Sequence, residues 1–248
     1  MTTAKTYTPE DLSRLSADLE DSAPPDILRW AVDEFFPDLT LACSFGGPSG
    51  MVLVDMISKI EPRVEVFYVD TDFLFPETYA TRDRVAERYG VNAVGYKPLL
   101  APEEQAVKYG DQLWLTNPDL CCGLRKVEPN RRALKGKRAW ISGLRRDQAT
   151  TRRDTPIVQW VNQLDIIKVN PLVNWTEGDV WAYVLKHDVP YNPLHDQSYP
   201  SVGCTYCTKP VKEGEDLRAG RWQGLDKTEC GIHLDGPVPL ARGEEIIG

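Results

Sequence analysis

No stretch of this chain approaches the roughly 20 consecutive apolar residues that a membrane-spanning helix needs. The polar, acidic beginning from Met1 to Pro25 has no apolar region of the kind a secretory signal carries. Internal repeats and low-complexity tracts are missing, and the composition excludes collagen, coiled coil and disorder. Excess positive charge is missing as well. With 29 Lys and Arg against 37 Asp and Glu, the net charge is −8, which argues against broad nucleic-acid binding. What is present is 248 residues, 42% of them hydrophobic and 27% charged, enough for one substantial core. The expectation is one soluble, cytoplasmic domain with a mobile tail and neither a nucleic-acid nor a membrane partner. In a reducing compartment its six cysteines read as metal ligands or redox-active thiols rather than a disulfide framework.

The N-terminal residues 1–25 read as a leader with one helix, because Thr8-Pro9-Glu10-Asp11 offers an N-cap, a proline at N1 and acids in the first turn. A second short helix follows from Ile27 to Phe36. The compact apolar run Leu39 to Ser44 reads as a buried strand that enters a glycine-rich turn and then a helix from Met51 to Ile60. Strands are expected at Val64–Val69, Val91–Tyr96, Arg138–Ser142 and Ile166–Val169. Helices are expected at Glu77–Tyr89, Glu103–Tyr109, Gly123–Leu134 and from Trp175 to about His187, with a last short one near Glu213 to Arg218. Such alternation predicts an α/β fold: a parallel five-stranded sheet with right-handed crossovers and helices on both faces. Ligands then sit outside the carboxyl ends of the strands.

Three turns fall at those ends, and all are polar. The first is Ser44-Phe45-Gly46-Gly47-Pro48-Ser49-Gly50, the second Asp70-Thr71-Asp72-Phe73-Leu74-Phe75-Pro76-Glu77-Thr78, and the third runs from Gly143 to Arg152. The first matches neither the P-loop nor the dinucleotide fingerprint. Still, a Ser/Gly turn opening a helix presents backbone N–H groups and a favourable dipole to an anion; read alone, it is equally an ordinary tight turn. Arg145, Arg146 and Arg152 on the third turn favour phosphate, since guanidinium forks match its oxygens. From Cys121 to Arg153 eleven Lys/Arg stand against two acids. A basic segment of this size within an acidic protein suits a small, multiply charged anion better than a polymer, although some of these cations read equally as a solvated helix face.

Two cysteine pairs, Cys121-Cys122 and Cys204-x-x-Cys207, read as ligands. Adjacent cysteines converge poorly on one tetrahedral zinc. A [4Fe–4S] cubane gives each thiolate its own iron, and is preferred for that reason. A redox Cys-x-x-Cys would leave Cys121-Cys122 without a role. Lys126 lies one helical turn beyond Cys122, and Arg218 and Arg221 follow Cys207; a cluster gathering both pairs would bring these cations together around an oxyanion. Cys43, inside the first strand, reads as a small buried hydrophobe. Cys230 is left free to react. His233 and the pocket cations are candidates for lowering its pKa, since the thiolate is the nucleophile, and Gly224, Gly231 and Gly236 suggest a tail that opens and closes.

Together, Cys-Cys-Gly-Leu-Arg-Lys-Val-Glu-Pro, Gly-Leu-Arg-Arg-Asp-Gln-Ala-Thr-Thr-Arg, Cys-Thr-Tyr-Cys and Glu-Cys-Gly-Ile-His-Leu resemble the assimilatory sulfonucleotide reductases, and among them the cluster-containing adenylylsulfate (APS) reductases. The turn beginning at Asp70 is similar to that family's Leu-Asp-Thr-Gly-x-Leu-x-Pro-Glu-Thr loop. The resemblance runs from about Leu39 to Leu234. It departs at Pro48-Ser49-Gly50, where many APS reductases carry acids, and at Asp72, where the family has glycine.

The resemblance implies an adenine nucleotide alpha hydrolase-like fold, with a nucleotide-binding, cluster-bearing domain over residues 1–222 and a flexible tail over 223–248. It implies APS as substrate, thioredoxin or a glutaredoxin-like thiol donor as reductant, and a [4Fe–4S] cluster held by Cys121, Cys122, Cys204 and Cys207; a homo-oligomer is compatible with it. Ser44, Phe45, Gly46, Gly47, Asp70, Thr71, Arg145, Arg146 and Arg152 match substrate-binding positions. Lys126, Arg218, Arg221 and His233 match those surrounding the sulfate, and Cys230 matches the nucleophile that forms an S-sulfocysteine. Relatives using the 3′-phosphorylated substrate, PAPS, typically lack both cysteine pairs, so a PAPS or dual-substrate reductase is the alternative within the family. An ATP pyrophosphatase would carry Ser-Gly-Gly-x-Asp-Ser after the first strand, which Ser44 to Ser49 does not match. A non-catalytic iron–sulfur nucleotide sensor would give Cys230 no task.

Overall fold

The computed structural model describes residues 6–233. Thr8 caps α1 (Pro9–Asp18) through a capping box in which its hydroxyl accepts from the Asp11 N–H at 3.1 Å and the Asp11 carboxylate accepts from the Thr8 N–H at 3.0 Å. The elements that follow are α2 (Pro24–Phe35), β1 (Leu39–Ala42), α3 (Pro48–Ile60), β2 (Glu65–Val69), α4 (Pro76–Tyr89), β3 (Ala93–Tyr96), α5 (Pro102–Tyr109), α6 (Leu113–Thr116), α7 (Pro118–Cys122), α8 (Glu128–Leu134), β4 (Ala139–Ile141), β5 (Val158–Val161), β6 (Ile166–Val169) and α9 (Glu177–His187). Several helices carry proline in their first turn, where its missing N–H would have had no intrahelical partner.

Among the described residues six strands form one sheet in the order β3-β2-β1-β4-β6-β5. Neighbours are parallel except β5, which runs antiparallel to β6 with Val158 opposite Val169 and Val161 opposite Ile166. The expected five-stranded parallel sheet is therefore corrected to six strands, with an antiparallel edge. The extra strand is short and is joined to β6 by a tight hairpin in which Asp165 turns at φ 51°, so no intervening helix signals it. Successive strand residues face opposite sides. Leu39, Leu41, Val66, Ile141 and Val169 are packed with α2, α3 and α9, while Phe67, Trp140 and Ile166 are packed with Ala133 and Leu134 of α8 on the other side.

Two helical expectations also change. The helix expected over Gly123–Leu134 begins earlier, at Pro118 under an Asn117 cap, and runs into α8 through a π-helical turn at Gly123–Val127. Pro129 supplies the cause: it has no N–H for an i→i−4 bond, and the Glu128 N–H bonds back to the Gly123 carbonyl instead. Around Glu213–Arg218 the chain turns rather than coils into a helix. Gly214 takes φ 85°, and the Glu215 and Asp216 carboxylates capture the Lys212 and Arg218 amides.

The chain builds outward from β1 to β2 and β3, then returns to place β4 on the other side of β1. That reversal opens a crevice at the carboxyl ends of β1 and β4, the switch point of the sheet. The leader closes the opposite edge, where the buried Ser16 hydroxyl accepts from the Ile157 N–H at 2.9 Å beside β5. Ser16→Ala leaves that donor unpaired and should lower unfolding stability by about 1–3 kcal/mol. Urea unfolding checks this, and an unchanged midpoint would contradict the assignment.

Candidate active site

A cleft with a cavity of about 270 Å³ lies at the switch point. Its walls include Ser44 and Gly47 of the first turn, Thr71 of the second, Arg145 and Arg152 of the third, Lys126, Arg218 and Arg221, and Cys230 and His233 from the C-terminal segment. These ten positions, drawn from six separated stretches of the sequence, share one cavity. Phe45, Gly46, Asp70 and Arg146 do not line it.

Those four do other work. Phe45 takes φ 53°, a left-handed conformation unusual for a bulky residue, with its ring fully buried and edge-on to Tyr68. Asn192 donates to the Phe45 carbonyl at 3.2 Å, and His195 Nε2 donates to the Gly46 carbonyl at 2.9 Å. With those carbonyls held from behind, Gly47, Ser49 and Gly50 border the cleft at the positive end of α3. Asp70 accepts from the Tyr79 hydroxyl at 2.6 Å and from the Asp72 N–H at 3.1 Å. Asp72 adopts φ 57°, which aspartate tolerates better than most side chains, so it can stand where the resembling family has glycine. Arg146 turns outward to Glu20, Asn174 and the Thr155 carbonyl, tying the leader to the third turn.

The two remaining loop arginines are ion-paired. Arg145, 1% exposed, is gripped by Asp147, Glu177 and Ser49. Arg152 makes a fork-to-fork pair with Glu229 at 2.8 and 2.7 Å, and Arg218 reaches the same carboxylate at 3.2 Å. Glu229 is itself buried. Burial would raise its pKa, but Arg152 and Arg218 outweigh that and hold it below the usual carboxylate range. The segment carrying Cys230 is thus latched into the cleft through the residue just before it.

Burial would likewise push the Cys230 thiol up, yet Lys126, the Ile232 N–H and Arg221 together hold it below its ordinary value. His233 contributes differently from the sequence expectation. Burial, then Lys168, Arg152 and Arg218, keep its imidazole well below the usual range, so it is neutral and adds no positive charge. Its ring stacks on Trp140 with centroids 5.9 Å apart, and its Nδ1 lies 3.2 Å from Lys168 Nζ.

The two cysteine pairs meet beside the cleft. Cys121, Cys122, Cys204 and Cys207 surround a cavity of about 10 Å³ with Phe73, Trp114, Arg125, Lys126, Tyr206 and Trp222. Backbone pairing of Leu74 with Cys204 ties the second pair to the second turn, whose Phe73 lines the same cavity, and pairing of Thr208 with Arg221 folds the chain back after Cys207. Burial pushes the Cys121 and Cys122 thiols up to about 12. Among the described residues, no group of three or more His, Cys, Asp or Glu forms a site for a single metal ion. The surroundings nonetheless supply unused donors. Arg125, 1% exposed, gives Nη1 to the Thr71 carbonyl at 2.9 Å, while its Nε and Nη2, together with Arg221 Nε and Trp222 Nε1, are buried without a partner. Unpartnered buried N–H groups of Arg125 and Trp222 in the cavity that the four cysteines line fit a bound anionic group with many acceptors. Gly203, just before Cys204, lets the Arg221 guanidinium lie against the backbone: a Cβ there would stand 2.4 Å from Arg221 Nη2 and move that side chain.

Sequence reasoning assigned no role to Glu229, Lys168, Trp140, Asn192 or His195. Lys168 carried a signal, being a charged residue inside the apolar strand Ile166-Ile167-Lys168-Val169. Glu229 stood inside the quoted motif, but its arginine partners are long-range.

Residues 38–210 match the phosphoadenosine phosphosulfate reductase domain. The adenosine 5′-phosphosulfate reductase of Shouchella clausii is 50% identical over 224 residues, which span 90% of this chain and 92% of that protein. The one from Salinibacter ruber is 48% identical over 223 residues, 90% of this chain and 88% of that protein. Among solved structures, the phosphoadenylyl-sulfate (PAPS) reductase of Candida auris in complex with phosphate superposes with a TM-score of 0.73 at 38% identity, covering 84% of this chain and all of that one. The FMN adenylyltransferase of Candida glabrata in complex with ATP gives 0.57 at 13% identity, over 96% of this chain and 81% of that one, and shares the fold alone.

The electrostatics make a direct prediction. Alkylation of Cys230 by iodoacetamide should rise with a pH midpoint below the roughly 8.5 of free cysteine, and Lys126→Met should move that midpoint upward. A midpoint at or above the free value in the native protein, read by peptide mapping, would contradict it.

Proposed function

The chain belongs to the phosphoadenosine phosphosulfate reductase family, and from that premise we propose that it reduces APS to sulfite and AMP through an S-sulfocysteine on Cys230, with thioredoxin or a similar dithiol as reductant. The observation carrying this reading is that Cys230 borders the same cavity as the β1 turn, with its thiol held below its ordinary pKa by Lys126 and Arg221. A nucleoside can lie over the sheet end formed by Ala42, Phe67 and Val69, all of which line the cleft. The turn at the start of α3 then suits the phosphate, and Lys126, Arg218 and Arg221 suit the sulfuryl oxygens.

In the first step the Cys230 thiolate attacks the sulfur of APS. The new Sγ–S bond forms as the S–O bond to the phosphate breaks, and AMP departs with that electron pair. Lys126 and Arg221 favour the thiolate, the form of Cys230 that attacks. They also meet the charge that develops on the sulfuryl and phosphate oxygens, a preorganised electrostatic contribution. In the second step a donor thiolate attacks Cys230 Sγ, and the S–S bond breaks with its electrons leaving on sulfite. The donor's second thiol then resolves the mixed disulfide, so that the donor is oxidised and Cys230 is restored.

For the second step Cys230 must become accessible. We assign that to the segment from residue 223 onward, moving on a body formed by residues 1–222; residues 234–248 of that segment lie outside the described residues. Cys121, Cys122, Cys204 and Cys207 are read as holding a [4Fe–4S] cluster, a reading supported by the unpartnered Arg125 and Trp222 donors that line the same cavity. When bound, the cluster supplies fixed negative charge that holds Lys126 and the arginines in place, without a change of oxidation state. The free thiols suit the reducing cytoplasm. APS is preferred over PAPS because both cysteine pairs are present and the half-identical relatives bear the APS name.

Two variants separate the roles. Cys230→Ser should lower sulfite release by about 10³-fold or more while keeping iron and nucleotide binding. Cys204→Ser should lose iron. Turnover retained in the first, or full iron occupancy in the second, would overturn the respective assignment.

A further inference from the structure

Lys168 occupies the middle of β6, directly across from Trp140 on the neighbouring β4, so both side chains project from the same face of the sheet. Burying a lysine to 1% exposure in a strand otherwise made of Ile, Ile and Val is costly unless its ammonium is used. The ammonium lies 5.2 Å from the Trp140 ring centroid and 3.2 Å from His233 Nδ1, and the same indole stacks on the imidazole. One aromatic face therefore sets lysine and histidine side by side.

We propose that Lys168 is a positioning residue for the reaction, holding His233 as the neutral Nε2–H tautomer and fixing its ring on Trp140 while Cys230 is in the cleft. An ammonium has only donors, so the nitrogen it meets must be the unprotonated one. The proton of a neutral imidazole then resides on Nε2. His233 accordingly acts as a hydrogen-bond donor, suited to an oxyanion, rather than as a base that takes the Cys230 proton. The charged groups around the pair among the described residues agree with this arrangement: Arg131 of α8 borders a second small cavity together with Trp140, Lys168 and His233, Arg152 and Arg218 approach from the third turn and the Cys207–Arg221 segment, and Glu229, on the segment of His233 itself, is engaged by those two arginines. Among these described residues none presents a free acceptor that would draw a proton to Nδ1.

This inference rests on the reading of the cleft as the reductase site, but the tautomer can be measured independently of turnover. The test uses the cluster-loaded full chain labelled with ¹⁵N-histidine, whose three histidines are assigned with His233→Gln. The native protein should show His233 Nδ1 unprotonated and Nε2 protonated at neutral pH. Lys168→Met should release the tautomer and lower kcat/KM on the order of tenfold or more, as expected for losing a charge-assisted hydrogen bond. Lys168→Gln still donates to Nδ1, and should restore the tautomer and recover most of that loss. A proton on Nδ1 in the native protein would overturn the proposal whatever the variants do. So would an unchanged tautomer in Lys168→Met, or an equal loss of kcat/KM in the Met and Gln variants. If the tautomer is as proposed but no sulfonate forms on Cys230, the reductase reading fails and the lysine–histidine pairing stands.

Discussion

Like charges gathered around one thiol are the constraint on which the rest of the molecule depends. Lys126, Arg152, Arg218 and Arg221 come from parts of the chain far apart in sequence, and all border one cavity with Cys230. Left alone they would repel one another. Burial and the neighbouring arginines indeed hold the Arg218 pKa down, although Glu229 pulls the other way. The fold offsets this repulsion with buried anions and anion precursors: Glu229 between Arg152 and Arg218, and the four cysteines beside Lys126. The same charges that make the site difficult to assemble make it suited to a sulfonucleotide, whose phosphate and sulfuryl oxygens can take the place of absent counterions.

The scaffold answers a separate need, which is to bring distant segments to one point. The reversal of strand order between β1 and β4 opens the crevice, and the backbone pairing of Cys204 with Leu74 ties the second cysteine pair to the turn after β2. A fold shared at 13% identity with a nucleotide-handling enzyme of another activity shows that the crevice alone does not decide the chemistry. The cysteines and cations set around it do.

Much of this was legible in the sequence because it is local. Five strands showed as apolar runs, and the α1 cap as Thr8 with Asp11 three residues on. Cys121 and Cys204, quoted from separate motifs, border one small cavity, and Cys230 lines the adjoining cleft. The sixth strand escaped because Gln159 interrupts the apolar run Val158–Val161 and a hairpin, not a helix, joins it to β6. The helix expected at Glu213–Arg218 escaped because acidic side chains capture the backbone amides there. Adjacent Arg145 and Arg146 look alike in sequence, yet one lines the cleft while the other binds Glu20 of the leader. Which way each points depends on acids far away in the chain. The charge state of His233 was hidden for the same reason, since it is set first by burial and then by Lys168 on another strand.

The most direct measurement is the intact mass of prereduced, cluster-loaded protein mixed with APS in the absence of any thiol donor, followed by peptide mapping. The account predicts one sulfonate per chain, on Cys230, formed faster with APS than with PAPS. Folded, cluster-loaded protein that takes up no sulfonate, or carries it on another cysteine, would contradict it.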